Sequence, residues 1–331
     1  MEKILVLGSN SFSGSTFIKY ALEKEYEVIG ASRSEEPNTV FLPHRWLKAD
    51  MLKRYQFYQF DLNEHVDSLM KLIGEMKPSY VVNFAAQSMV AESWLHPVDW
   101  MQTNVVSTVK FHEQLRQCDC LKKYIHISTP EVYGSCQGLV STSKNYNPST
   151  PYAVSRAACD MWLAALYKNY KFPVVFTRAA NVYGQGQQLY RIIPKTILNI
   201  TIGKKLPLHG GGRSVRSFVH VQDVADGTLR VLLHANPGEI YHFSTQRNIS
   251  IRDVVQLICR RMNTNFEDVV NIVEERPGKD AAYLLDSKES HSRLEWKDTI
   301  DLEEGIDQTI EWVEKNINVL QSMPLDYIHK Q

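Results

Sequence analysis

Two short stretches hold the side chains best suited to moving protons. One is Ser128–Thr129–Pro130–Glu131–Val132–Tyr133–Gly134; the other, about twenty residues on, is Tyr152–Ala153–Val154–Ser155–Arg156. A tyrosine and a cationic residue four apart on a helix lie on one face, one turn apart. Charge proximity then favours the ionised phenol, so Arg156 is expected to hold Tyr152 partly ionised. A tyrosine tuned in this way takes a proton from a sugar or alcohol hydroxyl while hydride leaves the carbon.

The elements around these stretches follow from pattern. Tyr124–Ile125–His126–Ile127 reads as a buried strand that delivers Ser128, Thr129 and Glu131 at its carboxyl end. Ser149, Thr150 and Pro151 are helix start signals, and Ala157–Ala158 continue the helix that carries Tyr152 to about Tyr170. Upstream, Ile4–Leu7 is a strand, and Gly8–Ser9–Asn10–Ser11–Phe12–Ser13–Gly14 turns into a helix running to about Glu23. Further strands are expected at 26–31, 57–62, 80–84 and 174–178, with a helix over 64–76 and Asn104 inside a long helix. This strand-helix alternation breaks in the second half. It predicts an α/β, Rossmann-type doubly wound parallel sheet over residues 1–178, with a smaller C-terminal substrate-binding lobe over 179–331 interleaved with the first.

Thr129-x-Glu131-Val132-Tyr133-Gly134, followed by Pro151-Tyr152-Ala153-Val154-Ser155, resembles the nucleotide-sugar branch of the extended short-chain dehydrogenase/reductases. Its Arg-Pro-Gly-x-Asp segment at 276–280 most resembles the dTDP-glucose 4,6-dehydratase type, and the likeness covers about residues 3 to 320. Two positions depart from the pattern. Arg156 stands where the family has lysine, and Pro130 where such dehydratases often have aspartate. The resemblance implies a catalytic set of Thr129, Glu131, Tyr152 and Arg156. It further implies dinucleotide contacts from Gly8, Asn10, Ser11, Phe12, Ser13, Gly14, Arg33, Asp61, Leu62, Ala85, Ala86, Gln87 and Asn104, together with Tyr152 and Arg156.

A nucleotide-diphosphate hexose would then meet Ser88, Asn181, Arg191, Leu208, Arg216 and Arg276. On spacing alone each of these arginines reads as a surface or salt-bridge residue; it is the motif setting that suggests anion binding, to which a guanidinium fork is matched. No acidic residue stands at Ser32–Arg33–Ser34, where an NAD-preferring fold binds the ribose 2′-hydroxyl, and Arg33 suits a 2′-phosphate; NADP is expected, with NAD the alternative. The implied reaction is 4,6-dehydration. Related 4-oxidising chemistry (4-epimerisation, decarboxylation, a 5-epimerising or 5,6-ene variant) and a weakened, non-catalytic binder are the alternatives. A homodimer is expected by the same analogy.

The bulk numbers agree with such an enzyme. At 331 residues and 44% apolar, the chain buries a sizeable core. Lys plus Arg equals Asp plus Glu at 37 each, so no global field draws it to nucleic acid or to an anionic membrane. Five scattered cysteines form neither a disulfide framework nor a metal set, which with the absence of a signal-like start points to the cytosol. No apolar run is long enough to span a membrane.

Overall fold

The computed structural model describes residues 2–136, 138–274 and 284–329. Strands β1 (Lys3–Leu7), β2 (Glu27–Ser32), β3 (Tyr55–Gln59), β4 (Tyr80–Asn83) and β5 (Lys123–Ile127) join Val174–Ala179 and Ile240–Phe243 in one seven-stranded sheet. Its order is Ile240–Phe243, Val174–Ala179, β5, β4, β1, β2, β3, and every pairing is parallel. The near-continuous apolar runs of β1 and β4 reflect burial on both faces, as parallel sheets require. One face packs on Phe17, Ile18 and Leu22 of α1 (Phe12–Glu23) and on Val224 and Val231 of the helix Val221–His234. The other packs on Leu69 and Ile73, Phe111 and Leu115, and Leu163 and Leu166.

Two local departures from expectation matter for the site. The strand expected at 57–62 lies at Tyr55–Gln59, because β2, its one neighbour among the described residues, ends in register at Ser32 opposite Gln59. Phe60, Asp61 and Leu62 are thereby released into the loop that lines a cleft. The helix expected around Asn104 is interrupted: Pro97–Met101 passes through a π-helical turn, Gln102–Ser107, before continuing as Thr108–Leu115. Such turns often occur where a side chain must be re-aimed.

The second lobe is built from a three-stranded sheet (Asn181–Tyr183, Val215–His220, Asn248–Ser250), a two-stranded sheet (Leu206–His209 with Val270–Val273) and helices around Ile193, Ile197, Val254, Ile306 and Trp312. Between these pieces the chain returns to give the first sheet its edge strand, Ile240–Phe243. Among the described residues no helix is long and apolar enough to cross a membrane.

Candidate active site

At the carboxyl ends of β1, β2 and β4 lies a cleft of about 270 Å³. Gly8, Asn10, Ser11, Arg33, Asp61, Leu62, Ala85, Ala86 and Gln87 line it, nine of the residues expected to meet a dinucleotide. Two glycines make the cradle possible. Gly8 has φ of 74°, and a Cβ there would lie 2.7 Å from the Ala85 nitrogen. A Cβ on Gly14 would lie 2.4 Å from the Gly8 carbonyl oxygen, so only glycine lets α1 start this close to the strand. Ser11 caps α1 by accepting a hydrogen bond from the Gly14 nitrogen at 3.1 Å. Asn10 Nδ2 donates to the carbonyls of Ser34 (2.9 Å) and Glu35 (3.1 Å), which fixes the loop carrying Arg33. The shape, the narrow glycine turn and the helix amino terminus fit a dinucleotide diphosphate. Phe12, Ser13 and Gly14 are not among the side chains lining the cleft; Phe12 is buried and Gly14 acts through packing.

Asn104 corrects its expected role. Its Oδ1 accepts from the Gln87 nitrogen (2.8 Å), and its Nδ2 donates to the Gln87 carbonyl and to Ser155 Oγ (both 2.9 Å). With its amide committed inside the protein, Asn104 positions the Gln87 wall and ties it to the Tyr152 helix; it is not placed as a dinucleotide contact. The π-helical turn is what aims it there.

The proton-moving residues meet at the end of β5. Thr129 opens a 3₁₀ turn, Pro130–Tyr133, and accepts from the Glu131 nitrogen at 3.3 Å. Pro130 takes the first position of that turn, where a missing N–H costs little. The helix Pro151–Tyr170 starts on a Thr150 cap, with the Ala153 nitrogen donating to Thr150 Oγ1 at 3.1 Å, and sets Tyr152 and Arg156 on its buried face. The Tyr152 phenol is pushed above its ordinary value, chiefly by burial and also by the Glu131 charge. Arg156, a hydrogen bond with Thr129 and the charge of Arg191 pull the other way. Burial outweighs them, so the phenol is harder to ionise than helix spacing alone suggests, and Arg156 limits a rise that would otherwise be larger.

Beneath this set lies a buried polar network that spacing did not reveal. Arg156 Nη2 donates to the Ile127 carbonyl and lies 3.2 Å from His126 Nε2. His126 Nε2 stands 3.3 Å from Asp160 Oδ1, and Arg178 Nη2 donates to Asp160 Oδ2 at 2.8 Å, every one of these side chains fully buried. Ser128 Oγ also donates to Asp160, at 2.7 Å. Burial raises the Asp160 carboxyl, yet the His126 hydrogen bond and the Arg178 charge outweigh it and hold it at about 2. His126, pushed down mainly by burial, stays neutral. Arg178 also donates to the Tyr133 hydroxyl and, at 2.9 Å, to the Ser143 carbonyl, which anchors the far end of the catalytic turn. The signal available in the sequence was Asp160 itself, four residues beyond Arg156 and eight beyond Tyr152 on one helix face.

Comparison with known proteins is decisive for the family. The family model described as GDP-mannose 4,6 dehydratase matches residues 5–309. The chain belongs to this family. It is 35% identical over 327 residues to the dTDP-D-glucose 4,6-dehydratase of Mus musculus, covering 96% of this chain and 90% of that one. The dTDP-glucose 4,6-dehydratase DesIV of Streptomyces venezuelae, solved with NAD and TYD bound, superposes with a TM-score of 0.87 at 29% identity, covering 96% of this chain and 98% of that one. The UDP-glucuronic acid 4-epimerase of Bacillus cereus, solved with UDP-glucuronic acid and NAD, gives a TM-score of 0.83 at 25% identity, covering 95% and 99%.

Of the residues expected to meet the substrate of a 4,6-dehydratase-family enzyme, Arg191 is one whose charge reaches the catalytic set. It precedes the helix Ile192–Thr201, packs on the Tyr190 ring at 5.3 Å, and its charge acts on Tyr152. Asn181 begins the strand beside Phe218, and Ser88 is exposed just past the Gln87 wall. Arg216 is buried on Val215–His220 and donates to the Val215 carbonyl at 2.8 Å. Leu208 departs from expectation: its side chain is buried against Val255 and Cys259 in a core cluster of the second lobe, because strand alternation turns it inward. Arg276 lies outside the described residues.

Proposed function

We propose that the chain is a nicotinamide-dependent 4,6-dehydratase acting on a nucleotide-diphosphate hexose. One observation carries the reading: Thr129, Glu131 and Tyr152 converge at the end of β5, next to a cleft shaped for a dinucleotide. When bound, the dinucleotide supplies the acceptor for the C4 hydride and later its return to C6. Tyr152, once ionised, accepts the C4 hydroxyl proton, with Thr129 hydrogen-bonded alongside to orient that oxygen. The C4 carbonyl so formed acidifies C5–H, and the Glu131 carboxylate takes that proton. Pro130 has no proton to give, so protonated Glu131 passes its own to the departing C6 hydroxyl. Water leaves, a proton is returned at C5, and a 4-keto-6-deoxy sugar results. A 4-epimerase needs no carboxylate at 131, and this favours dehydration over the epimerase alternative.

Arg33 on the cleft wall supports a 2′-phosphate and hence NADP; the family relatives solved with NAD make NAD the competing cofactor. Val106, Val154 and Met161, apolar and exposed on neighbouring helices, support self-association of two copies through that face. Five free cysteines suit a reducing cytosol. The test is incubation of purified protein with dTDP-, UDP-, CDP- and GDP-glucose in deuterated water. A 4-keto-6-deoxy product carrying deuterium at C5 supports the reading; a C4 epimer with no loss of water, or binding without turnover, overturns it.

A further inference from the structure

The strand that closes one edge of the main sheet, Ile240–Phe243, carries a histidine with no role in the chemistry above. His242 is fully buried, and both its ring nitrogens have partners. Nδ1 lies 3.2 Å from the Asp286 carbonyl oxygen, and Nε2 lies 2.8 Å from the Tyr133 hydroxyl. A carbonyl only accepts, so Nδ1 holds the proton. Burial, ahead of the Arg178 charge, lowers His242 to about 4, so at pH 7 the ring is neutral and Nε2 is a bare acceptor. The Tyr133 hydroxyl therefore donates to Nε2; the Ser143 carbonyl, at 3.4 Å, is the poorer acceptor. The Tyr133 oxygen accepts in turn from Arg178 and, at 3.2 Å, from the Ser143 nitrogen. Each link in this chain has one direction: Arg178 to Tyr133, Tyr133 to His242, His242 to Asp286.

The two ends of the chain lie in different parts of the molecule. Tyr133, its side chain buried, closes the 3₁₀ turn Pro130–Tyr133, two residues beyond Glu131. So short a turn has poor hydrogen-bond geometry of its own. The Gly134 nitrogen donates to the Glu131 carbonyl at 3.0 Å, but the Val132 nitrogen reaches the Thr129 carbonyl only at 3.5 Å. What fixes the turn comes from outside it: the Asn147 nitrogen, which donates to the Val132 carbonyl at 2.9 Å, and the Tyr133 side chain. At the other end, Asp286 follows Leu284–Leu285, which pairs with Leu139–Val140. Two serines fasten that segment to the strand bearing His242. The Ser244 nitrogen donates to Ser287 Oγ at 2.9 Å, and Ser290 Oγ donates to the His242 carbonyl at 2.6 Å.

We propose that Tyr133 and His242 are positioning residues for the elimination step. The His242 ring, oriented by Asp286, holds the Tyr133 hydroxyl, and Tyr133 holds the turn that aims the Glu131 carboxylate at C5. Tyr152 is set instead by the helix capped at Thr150. Oxidation at C4 and loss of water across C5 and C6 therefore have different anchors. This rests on the dehydratase reading for the step that is served, but not for the chain of hydrogen bonds.

The test uses the full chain, its dinucleotide and the nucleotide hexose that the parent consumes, mixed rapidly so that reduced nicotinamide and loss of water are followed separately. Tyr133→Phe keeps the ring and removes the hydroxyl. Elimination should slow about ten-fold or more, as loss of one buried hydrogen bond allows, while C4 oxidation stays within about two-fold and reduced nicotinamide accumulates. His242→Leu should match it, and His242→Gln, whose amide oxygen replaces Nε2 as acceptor, should recover most of the rate. Because both residues act on one contact, the double variant Tyr133→Phe/His242→Leu should be no slower than the slower single one. Equal slowing of both steps, as from a general loosening of the fold, would overturn the proposal; so would parental elimination in Tyr133→Phe. Nitrogen NMR of histidine-labelled parent, with His242→Gln to assign the signal, checks the chain without turnover. A protonated Nδ1 and a bare Nε2 support it, and the reverse tautomer overturns it. Failure to turn over any nucleotide hexose would count against the dehydratase reading alone.

Discussion

Replacing Arg156 by Met removes the one cation placed a helical turn from the catalytic phenol. With the two charges about 6 Å apart, the usual separation of side chains at this spacing, and an effective dielectric near 20, their interaction is about 3 kcal/mol. That corresponds to about two pH units of added rise in a phenol that burial already pushes up. The base must be ionised to act, so kcat/KM rises with pH through this value. In Arg156→Met the rising limb should move about two units to higher pH, and the rate near neutrality should fall about a hundred-fold. Arg156→Lys keeps the charge, and its limb should stay near the parental position. The variant keeps the Asp160–Arg178 pair at 2.8 Å, so folding should survive, which circular dichroism and a thermal melt would confirm. The assay is kcat/KM against pH for parent and both variants, with the preferred nucleotide hexose. A folded Arg156→Met whose limb coincides with the parent's would refute the electrostatic role given to this guanidinium.

Three further outcomes follow from other parts of the structure. Asp160→Asn leaves Arg178 fully buried without its counter-charge, and should lower unfolding free energy by about 3–5 kcal/mol in a denaturant titration; an unchanged midpoint would contradict the network. Because the Asp160 carboxyl falls from 3.8 to about 2 on folding, its stabilisation is complete above the unfolded value and is lost as pH drops toward the folded one. The parent should therefore lose stability between those two values, and Asp160→Asn should flatten that limb. Arg33→Ala should weaken NADP binding about ten-fold or more with little change for NAD, as befits loss of a bidentate phosphate contact; equal losses for both, measured by calorimetry, would favour NAD.

The parts of this molecule legible in its sequence are those governed by local rules. Apolar runs ending at Gly8 and Asn83 mark buried parallel strands, and Ser149–Thr150–Pro151 marks the start of the catalytic helix, which runs to Tyr170. The cleft wall at Ala85–Gln87 is legible through the family resemblance and not through local rules. What local rules do not carry is the choice of distant partners. Arg178 lies in a mostly apolar strand, and nothing in that strand says that Asp160, Tyr133 and Ser143 will receive its hydrogen bonds. Asn104 sits in a helical pattern, and only the π-helical turn shows that it clamps Gln87. Tyr152 shows a further limit: spacing identifies its cationic neighbour, but the balance between that charge and burial is a property of the packed structure.

The central claim is that Glu131 takes the C5 proton after Tyr152 has enabled oxidation at C4. Rapid mixing of Glu131→Gln with the preferred nucleotide hexose, followed by absorbance of the reduced nicotinamide and the mass of the sugar, tests it directly. Reduced cofactor and a 4-keto hexose that retains its C6 oxygen should accumulate, with elimination slowed by about 10²–10⁴-fold. A 4-keto-6-deoxy product formed at the parental rate would contradict the account.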